Sequence, residues 1–188
     1  LEPDTWSWTP GYGQYSAKSF YIMAHAHLPD DDPCKWIWKS KCVMKIKVFA
    51  WLMLNDRLNT RDMLLRRHWR SEEDVNLCPM CVAQLHEDID HLFFKCTFSN
   101  RVWNYLQITW YAGLSPRECI LAAKRGFQHP FFFEVVYLAA WSIWTTRNDI
   151  IFRHIRPTFG GWKATFIHDI TLHSHRMKVS IKPLLLQW

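Results

Sequence analysis

The residues best suited to chemistry in this sequence are three cysteines and one histidine that lie within a stretch of 19 residues. The motif Cys-Pro-Met-Cys occupies positions 78–81, and a histidine and a third cysteine follow after nine and four intervening residues. A Cys-x-x-Cys turn lets two thiolates reach one tetrahedral ion, and Zn²⁺ binds thiolate and imidazole readily. Four protein ligands leave no open position for water or substrate. The sequence therefore predicts one structural Zn²⁺ site formed by Cys78, Cys81, His91 and Cys96.

Two other interpretations of this cluster remain open. His86, separated from Cys81 by four residues, is a rival fourth ligand, but it lacks the Leu-Phe-Phe packing segment that lies between His91 and Cys96. Alternatively, the cysteines are ordinary small side chains, with Cys81 and Cys96 buried and Cys78 exposed. A lone Cys-x-x-Cys would leave this second alternative strong, whereas the full set of four ligands favours the metal site.

The remaining cysteines and histidines give weaker signals. Cys34, Cys42 and Cys119 are isolated and lack a nearby histidine and acid, so they are predicted to be buried small side chains rather than nucleophiles. The clustering of the other three fits metal ligation better than a disulfide framework. His168, with Asp169 and His173, could suggest a second metal site, but ordinary core or surface histidines are the better interpretation.

Hydrophobic periodicity predicts a mainly helical chain. Helices are expected over residues 16–26, 43–55, 60–69 and 98–111, from Ser115 onwards, and over 131–152. Gly160 and Gly161 are expected to break the chain. A last helix should follow them, before a tail that is interrupted at Pro183. Period-two alternation over residues 5–9, followed by a Pro-Gly turn, predicts a short hairpin. The predicted fold is mainly α with a short N-terminal β-hairpin, that is, a small α+β fold.

Composition and charge limit the classes of function. Apolar residues make up 49% of the chain and aromatic residues 16%, which indicates a packed core rather than disorder. The longest apolar stretch, residues 131–144, is too short to span a bilayer and contains Glu134, so it is predicted to be a buried helix. The chain begins at Leu1 and shows no signal peptide. We expect an intracellular fragment of a longer protein, in the nucleus or cytoplasm, with no membrane partner.

Several short segments occur in the order typical of one protein family. They are Trp36-Ile-Trp-Lys39, Lys45-Ile-Lys-Val-Phe-Ala-Trp51, Leu58-Asn-Thr60, Leu64-Leu-Arg-Arg67 and Glu87-Asp-Ile-Asp-His-Leu-Phe-Phe-Lys-Cys96. In these segments the chain resembles the zinc-binding domain of plant reverse transcriptases, which lies downstream of the polymerase in non-LTR retrotransposon polyproteins. The resemblance covers residues 6–103, and the following helix, with Trp141, Trp144 and Arg147, is also similar. Cys42-Val43 departs from the family, which commonly has proline there.

The resemblance implies a domain organisation and a site. Residues 1–112 would form a zinc-binding domain of the reverse-transcriptase type, and residues 113–188 a helical C-terminal extension. The family's four metal ligands fall on Cys78, Cys81, His91 and Cys96, so the cofactor would be one structural Zn²⁺. The domain would grip RNA or target DNA rather than do chemistry, and the reverse transcriptase portion of the parent polyprotein is a further expected partner.

A basic stretch supports nucleic-acid binding. Residues 35–70 hold ten basic and two acidic side chains, a net charge of +8. The candidate contacts are Lys45, Lys47, Arg61, Arg66, Arg67, Trp69 and Arg70, where the cations would neutralise phosphates and Trp69 or His68 would stack on a base. The competing interpretation is a solvated helix face, in which Asp62 and the acidic residues 72–74 pair with these arginines.

Two other classes of function remain. One is a protein-interaction module, in which the many Trp and Phe residues of positions 103–166 dock on another part of the polyprotein. The other is an enzyme. A polymerase needs carboxylates that hold Mg²⁺, and no aromatic-x-Asp-Asp turn is present, while Asp30 to Asp32 lie in a proline-bounded loop. The sequence therefore predicts a non-catalytic domain.

Overall fold

The protein is built mainly from helices. The structure, a computed structural model, describes residues 33–69 and 76–188, together with Ser16, Phe20, Met23 and Ala26. In this part of the chain the helices are α1 (Pro33–Lys39), α2 (Met44–Leu54), α3 (Arg61–Arg66), α4 (Thr97–Tyr105), α5 (Pro116–Gly126), α6 (Phe132–Arg153), α7 (Phe159–Ser174) and α8 (Lys182–Gln187), with a π-helical turn at His91–Lys95. No described helix is long and apolar enough to cross a membrane.

Helix α6 lies at the centre of the fold. Every residue from position 131 to 140 is buried, which is the pattern of a helix surrounded by other elements. Helices α2 and α7 pack against it. Phe49 of α2 meets Trp141 of α6 edge-on, with ring centroids 5.2 Å apart, and also meets Phe93 of the π turn at 6.0 Å. Helix α6 therefore joins the cysteine-bearing region and the C-terminal helices in one hydrophobic core.

Local end signals explain why several helices begin where they were expected. Thr60 caps α3, because its side-chain oxygen accepts a hydrogen bond from the Met63 backbone N–H at 3.2 Å. Ser115 and Glu118 form a reciprocal capping box at the start of α5, with Pro116 in the first turn. The predictions of a core helix near 43–55 and of a long helix near 131–152 are confirmed by α2 and α6.

Three sequence predictions about helix limits were wrong. Helix α4 ends at Tyr105 rather than at 111. Gly160 and Gly161 lie inside the first turn of α7, because Thr158 caps that helix by accepting the Gly161 N–H at 3.0 Å. The chain breaks earlier, at His154, which adopts a left-handed conformation with φ 56°. Pro183 does not interrupt the tail but stands in the first turn of α8, where proline lacks only an unneeded N–H.

Two further predictions stay predictions. The first is the N-terminal hairpin, which falls on residues outside the described part of the chain. The other part of that prediction, a mainly helical fold, is confirmed. In the described part, β pairing is confined to one isolated antiparallel bridge, between Leu77 and His86. The boundary between 1–112 and 113–188 also stays a prediction, although helices from both segments share the same core.

Candidate metal centre

A closed loop brings the first two cysteines together. We call residues 76–87 the zinc loop. Its two ends pair through the Leu77–His86 bridge, with the Cys78 N–H donating to the Leu85 carbonyl at 2.8 Å and the Glu87 N–H to the Asn76 carbonyl at 2.9 Å. The turn between these ends carries Cys78 and Cys81. The backbone hydrogen bonds of the loop therefore help to hold both thiols close together.

The π turn brings the other two ligands to the same place. In an α-helix, residues five apart point about 140° away from each other. Here the Cys96 N–H donates to the His91 carbonyl at 2.6 Å, the i to i−5 bond of a π turn. The wider turn reduces the angle between the two side chains. The intervening Leu92 and Phe93 are fully buried and fix the turn in the core.

The four ligand atoms lie close enough together to bind one metal ion. All lie within 4.8 Å of one another. The Sγ atoms of Cys78 and Cys96 are 3.9 Å apart, and Cys81 Sγ is 3.4 Å from His91 Nε2. Zinc–ligand bonds of about 2.3 Å to sulfur and about 2.0 Å to nitrogen give edges of about 3.8 and about 3.5 Å in a tetrahedron. The donor set therefore fits Zn²⁺ in number and type, and these two distances match the edges of a tetrahedron.

The surroundings favour a thiolate at one of the ligands, Cys96. The hydrogen bond from the Cys78 thiol, helped by the backbone N–H groups of Phe98 and Ser99 at the start of α4, lowers the pKa of Cys96 to about 5. The same Cys78–Cys96 hydrogen bond, together with burial, raises the pKa of Cys78. These two sulfurs thus share one proton when no cation is near. A divalent ion between them would displace that proton and allow both to be thiolates.

The structure separates His91 from its rival. The His86 side chain is half exposed and lies 4.0 Å from Asp62, outside the four-ligand cluster, while His91 is buried within it. The three isolated cysteines, Cys34, Cys42 and Cys119, are buried, as the sequence predicts. Burial raises the pKa of Cys42 to about 12, which makes it a poor nucleophile. Within the described residues, no second His, Cys, Asp and Glu group has metal-binding geometry.

His173, the third residue considered for a second metal site, has a structural role instead. Its ring is buried between helices, with Nδ1 2.7 Å from the Asp169 carbonyl oxygen and Nε2 accepting the Val43 N–H at 3.4 Å. Both ring nitrogens are therefore occupied by backbone groups. The interpretation of His173 as an ordinary core histidine is the one that this geometry supports.

The segment that contains this metal centre matches a known protein family. Residues 15–103 match a family model described as zinc-binding in reverse transcriptase. This segment is similar to the zinc-binding domain of reverse transcriptases. No curated protein and no solved structure matches the chain. The family is a zinc-binding accessory domain rather than a catalytic one, and Cys78, Cys81, His91 and Cys96 are the residues positioned to bind its ion.

A buried ion pair that sequence reasoning missed ties this zinc-binding domain to α6. Glu87 is fully buried, and Arg147 is 3% exposed. Arg147 donates to both Glu87 oxygens, from Nη2 to Oε1 at 2.5 Å and from Nε to Oε2 at 3.2 Å. Glu87 Oε1 also accepts the Arg61 backbone N–H at 3.0 Å. One carboxylate thus connects the end of the zinc loop, the start of α3 and the middle of α6.

Both lysines proposed to contact nucleic acid make contacts within the protein. Lys47 donates to the Trp38 carbonyl at 2.9 Å, and burial lowers its pKa. Lys45 is exposed, with its ammonium 4.5 Å from the centre of the Trp141 ring. Of the two, Lys45 is therefore the freer to bind a phosphate.

The arginines of α3 differ from one another. Arg61 donates from Nη1 to the Leu77 carbonyl at 2.6 Å and so supports the zinc loop. Arg66 pairs with Asp56 and Asp62 at 2.7 Å each, which confirms the internal pairing with Asp62 considered above. Arg67 donates to the neutral Asn59 side chain and lies 5.5 Å from the Trp69 ring, which is 66% exposed. Arg70 lies outside the described residues.

The choice of fourth ligand gives a simple test. His91→Ala is expected to lower bound zinc well below one ion per chain, because three thiolates alone complete only part of the tetrahedron. His86→Ala is expected to keep one ion per chain, since its ring lies outside the cluster. Metal content of both purified variants, measured by native mass spectrometry, checks this. Loss of zinc in the His86 variant alone would contradict the assignment.

Proposed function

We propose that this chain is a non-catalytic part of a plant non-LTR retrotransposon polyprotein. In that polyprotein the zinc-binding domain helps the reverse transcriptase to hold RNA or DNA. It acts inside the cell, in the nucleus or cytoplasm. Family membership supports the link to a reverse transcriptase. The closed four-ligand site supports a structural role for the ion, because no ligand position is left for a substrate.

The observation that carries the nucleic-acid role is the attachment of α3 to the zinc loop. Besides the Arg61 contacts, the Asp62 N–H donates to the Glu87 carbonyl at 3.1 Å. The ion thus fixes the loop, the loop fixes α3, and α3 leads into the half-buried Arg67 and the exposed Trp69. An arginine beside an exposed indole offers both charge for a phosphate and a face for a base.

Charge pairing ranks the arginines within this surface. Two carboxylates already pair with Arg66, and the hydrogen bond to Asp56, together with the charges of Asp56 and Asp62, raises the pKa of its guanidinium. Binding a phosphate there requires breaking these pairs. Among the residues that the structure describes, the partners of Arg67 are the neutral Asn59 and the Trp69 ring. We therefore expect Arg67 and Trp69 to contribute more to binding than Arg66.

The double substitution Arg67→Ala with Trp69→Ala is expected to weaken binding to single-stranded RNA or DNA by ~10-fold or more, because one phosphate contact and one stacking surface worth about 1–3 kcal/mol are lost. Fluorescence anisotropy with a labelled 20-nucleotide probe measures this. The slope of log Kd against log salt should change by about 0.7.

Arg101→Ala is the matched control for this experiment. Arg101 also lies over an aromatic ring, 4.3 Å from Phe159, but on α4 rather than beside α3. Its removal is expected to leave affinity nearly unchanged, and Arg66→Ala is expected to have a smaller effect than the double substitution. Equal affinity of the double variant and the wild type at every salt concentration would reject the α3 surface.

The alternative, a protein-interaction module, depended on the aromatic residues of positions 103–166. Six of these twelve residues are in the core: Trp103, Phe131, Phe132, Phe133, Trp162 and Phe166 are all at most 5% exposed. Five more are partly buried and pack against that core, namely Trp110, Phe127, Trp141, Trp144 and Phe159. Phe152, at 74% exposure, is the clear exception. Because the aromatic side chains are largely used to build the fold, they supply less docking surface than the sequence indicated, and nucleic-acid binding is the better supported proposal.

A further inference from the structure

A second group of basic side chains surrounds a small cavity on another part of the surface. The cavity, of about 150 Å³, is lined on one side by Lys39 and Lys41, from the end of α1 and the turn after it, and on the other by Lys178, which follows α7. Trp36 forms part of its wall. We call this cavity and the five cations around it, Lys39, Lys41, Lys124, Arg176 and Lys178, the basic pocket.

Direct contacts hold these residues together. The ammonium groups of Lys39 and Lys124 lie 5.0 and 5.5 Å from the centre of the Trp36 ring. Arg176 donates from Nε to the Lys41 carbonyl at 3.1 Å, which fastens the segment after α7 to the turn between α1 and α2. The basic pocket therefore combines residues of the zinc-binding segment with residues of the C-terminal helices.

The charge of the basic pocket is poorly compensated. None of its five cations has an ion-pair partner among residues 33–69 and 76–188, in contrast to Arg66. Among the described residues that line the cavity, the one carboxylate is Glu134, which is buried in the wall and accepts the Lys41 backbone N–H at 2.8 Å. The positive charges of Lys41 and Arg176 also act on the neighbouring Lys47, because they add to the effect of burial in lowering its pKa. The local balance is strongly positive.

We propose that the basic pocket binds phosphate groups of a nucleic-acid backbone, which makes it a second contact surface beyond α3. This inference rests on the proposed function. Lysine ammonium groups act as point charges and suit phosphates that approach from several directions. The small cavity between Lys41 and Lys178 has room for a compact anion. The C-terminal helices then have a defined role, because they complete a binding surface that the zinc-binding segment begins.

The test is the triple substitution Lys39→Gln, Lys41→Gln and Lys178→Gln in the full chain. All three side chains are exposed and donate no side-chain hydrogen bond within the described residues, so the fold should be kept. Loss of three phosphate contacts is expected to reduce the salt slope by about 2 for a single strand and to weaken binding by ~10-fold or more at low salt.

A second triple variant controls for net charge. Lys95→Gln, Arg153→Gln and Lys163→Gln also changes the formal charge from +6 to +3, but two of these cations are already paired, with Asp90 and Asp149, and the third lies over Tyr105. Its salt slope is expected to stay near that of the wild type. Thermal unfolding of both variants confirms that each is folded before binding is compared.

The outcomes separate this inference from the proposed function. If the wild type binds neither RNA nor DNA at any salt concentration, the proposed function fails and the basic pocket fails with it. If the wild type binds and only the Arg67 and Trp69 variant is impaired, while both triple variants behave alike, the basic pocket alone is rejected. The basic pocket proposal is also overturned if the Lys39, Lys41 and Lys178 triple variant loses binding to anionic lipid vesicles but keeps its binding to nucleic acid.

Discussion

Removing zinc with a strong chelator is expected to unfold residues 76–96 and to expose Trp103. Zinc in small structural sites contributes an apparent 10–16 kcal/mol, about as much as the whole folding free energy of an ordinary domain. Charge repulsion within the segment opposes its folding, because residues 71–96 hold six acidic side chains and one basic one. Without the ion, three buried sulfurs and the acidic loop would have no common partner.

The consequence should reach α4 through the π turn. Trp103 donates its indole N–H to the Phe93 carbonyl at 2.5 Å, and the Ser99 hydroxyl donates to the Leu92 carbonyl at 2.5 Å. Loss of the turn would break both bonds. Limited proteolysis is expected to cut first within residues 76–96, and near-ultraviolet circular dichroism should lose signal. Unchanged proteolysis and unchanged spectra in metal-free protein would contradict a structural role for the ion.

Cysteine substitutions provide the matched control for chelation. Cys96→Ser removes a zinc ligand, and Cys119→Ser makes the same chemical change at a buried cysteine outside the metal cluster. Only the first should reproduce the effect of the chelator. The second should show ordinary core destabilisation with one zinc ion still bound.

The metal ligands could be predicted because their signal is local. Three cysteines and a histidine within 19 residues limit the geometries available, and the zinc loop and π turn supply the rest through backbone hydrogen bonds. The starts of α3 and α5 were predictable for the same reason, since Thr60 and Ser115 act on residues three positions away. Local chemistry thus determined both the site and several helix ends.

Features that depend on distant residues could not be predicted. Gly160 and Gly161 looked like a break, but Thr158 caps the helix and Trp162 anchors it in the core. The pairing of Arg66 with Asp56 as well as Asp62 depends on how the turn before α3 folds. The Glu87–Arg147 pair joins residues sixty positions apart, and both belonged to recognised motifs without any sign that they would meet.

Breaking the buried Glu87–Arg147 pair is expected to cause a large loss of folding stability. Arg147→Met is expected to destabilise the protein by about 3–5 kcal/mol, because it leaves the carboxylate of Glu87 buried without its cation. The Arg61 N–H, at 3.0 Å, would remain as a partner of that carboxylate but would not neutralise it. Urea unfolding measures the change. Arg153→Met is the control, because its partner Asp149 is exposed and such pairs contribute about 1 kcal/mol or less.

A charge-neutral double variant separates the ion pair from simple loss of packing. Glu87→Gln with Arg147→Met removes both charges, so it should be more stable than Arg147→Met alone, although it has one more substitution. If the double variant is instead less stable by the sum of the two single changes, Glu87 and Arg147 do not act as a pair. Coupling would mean that α6 positions the zinc loop and α3, so the proposed Arg67 and Trp69 surface depends on a residue outside the zinc-binding segment.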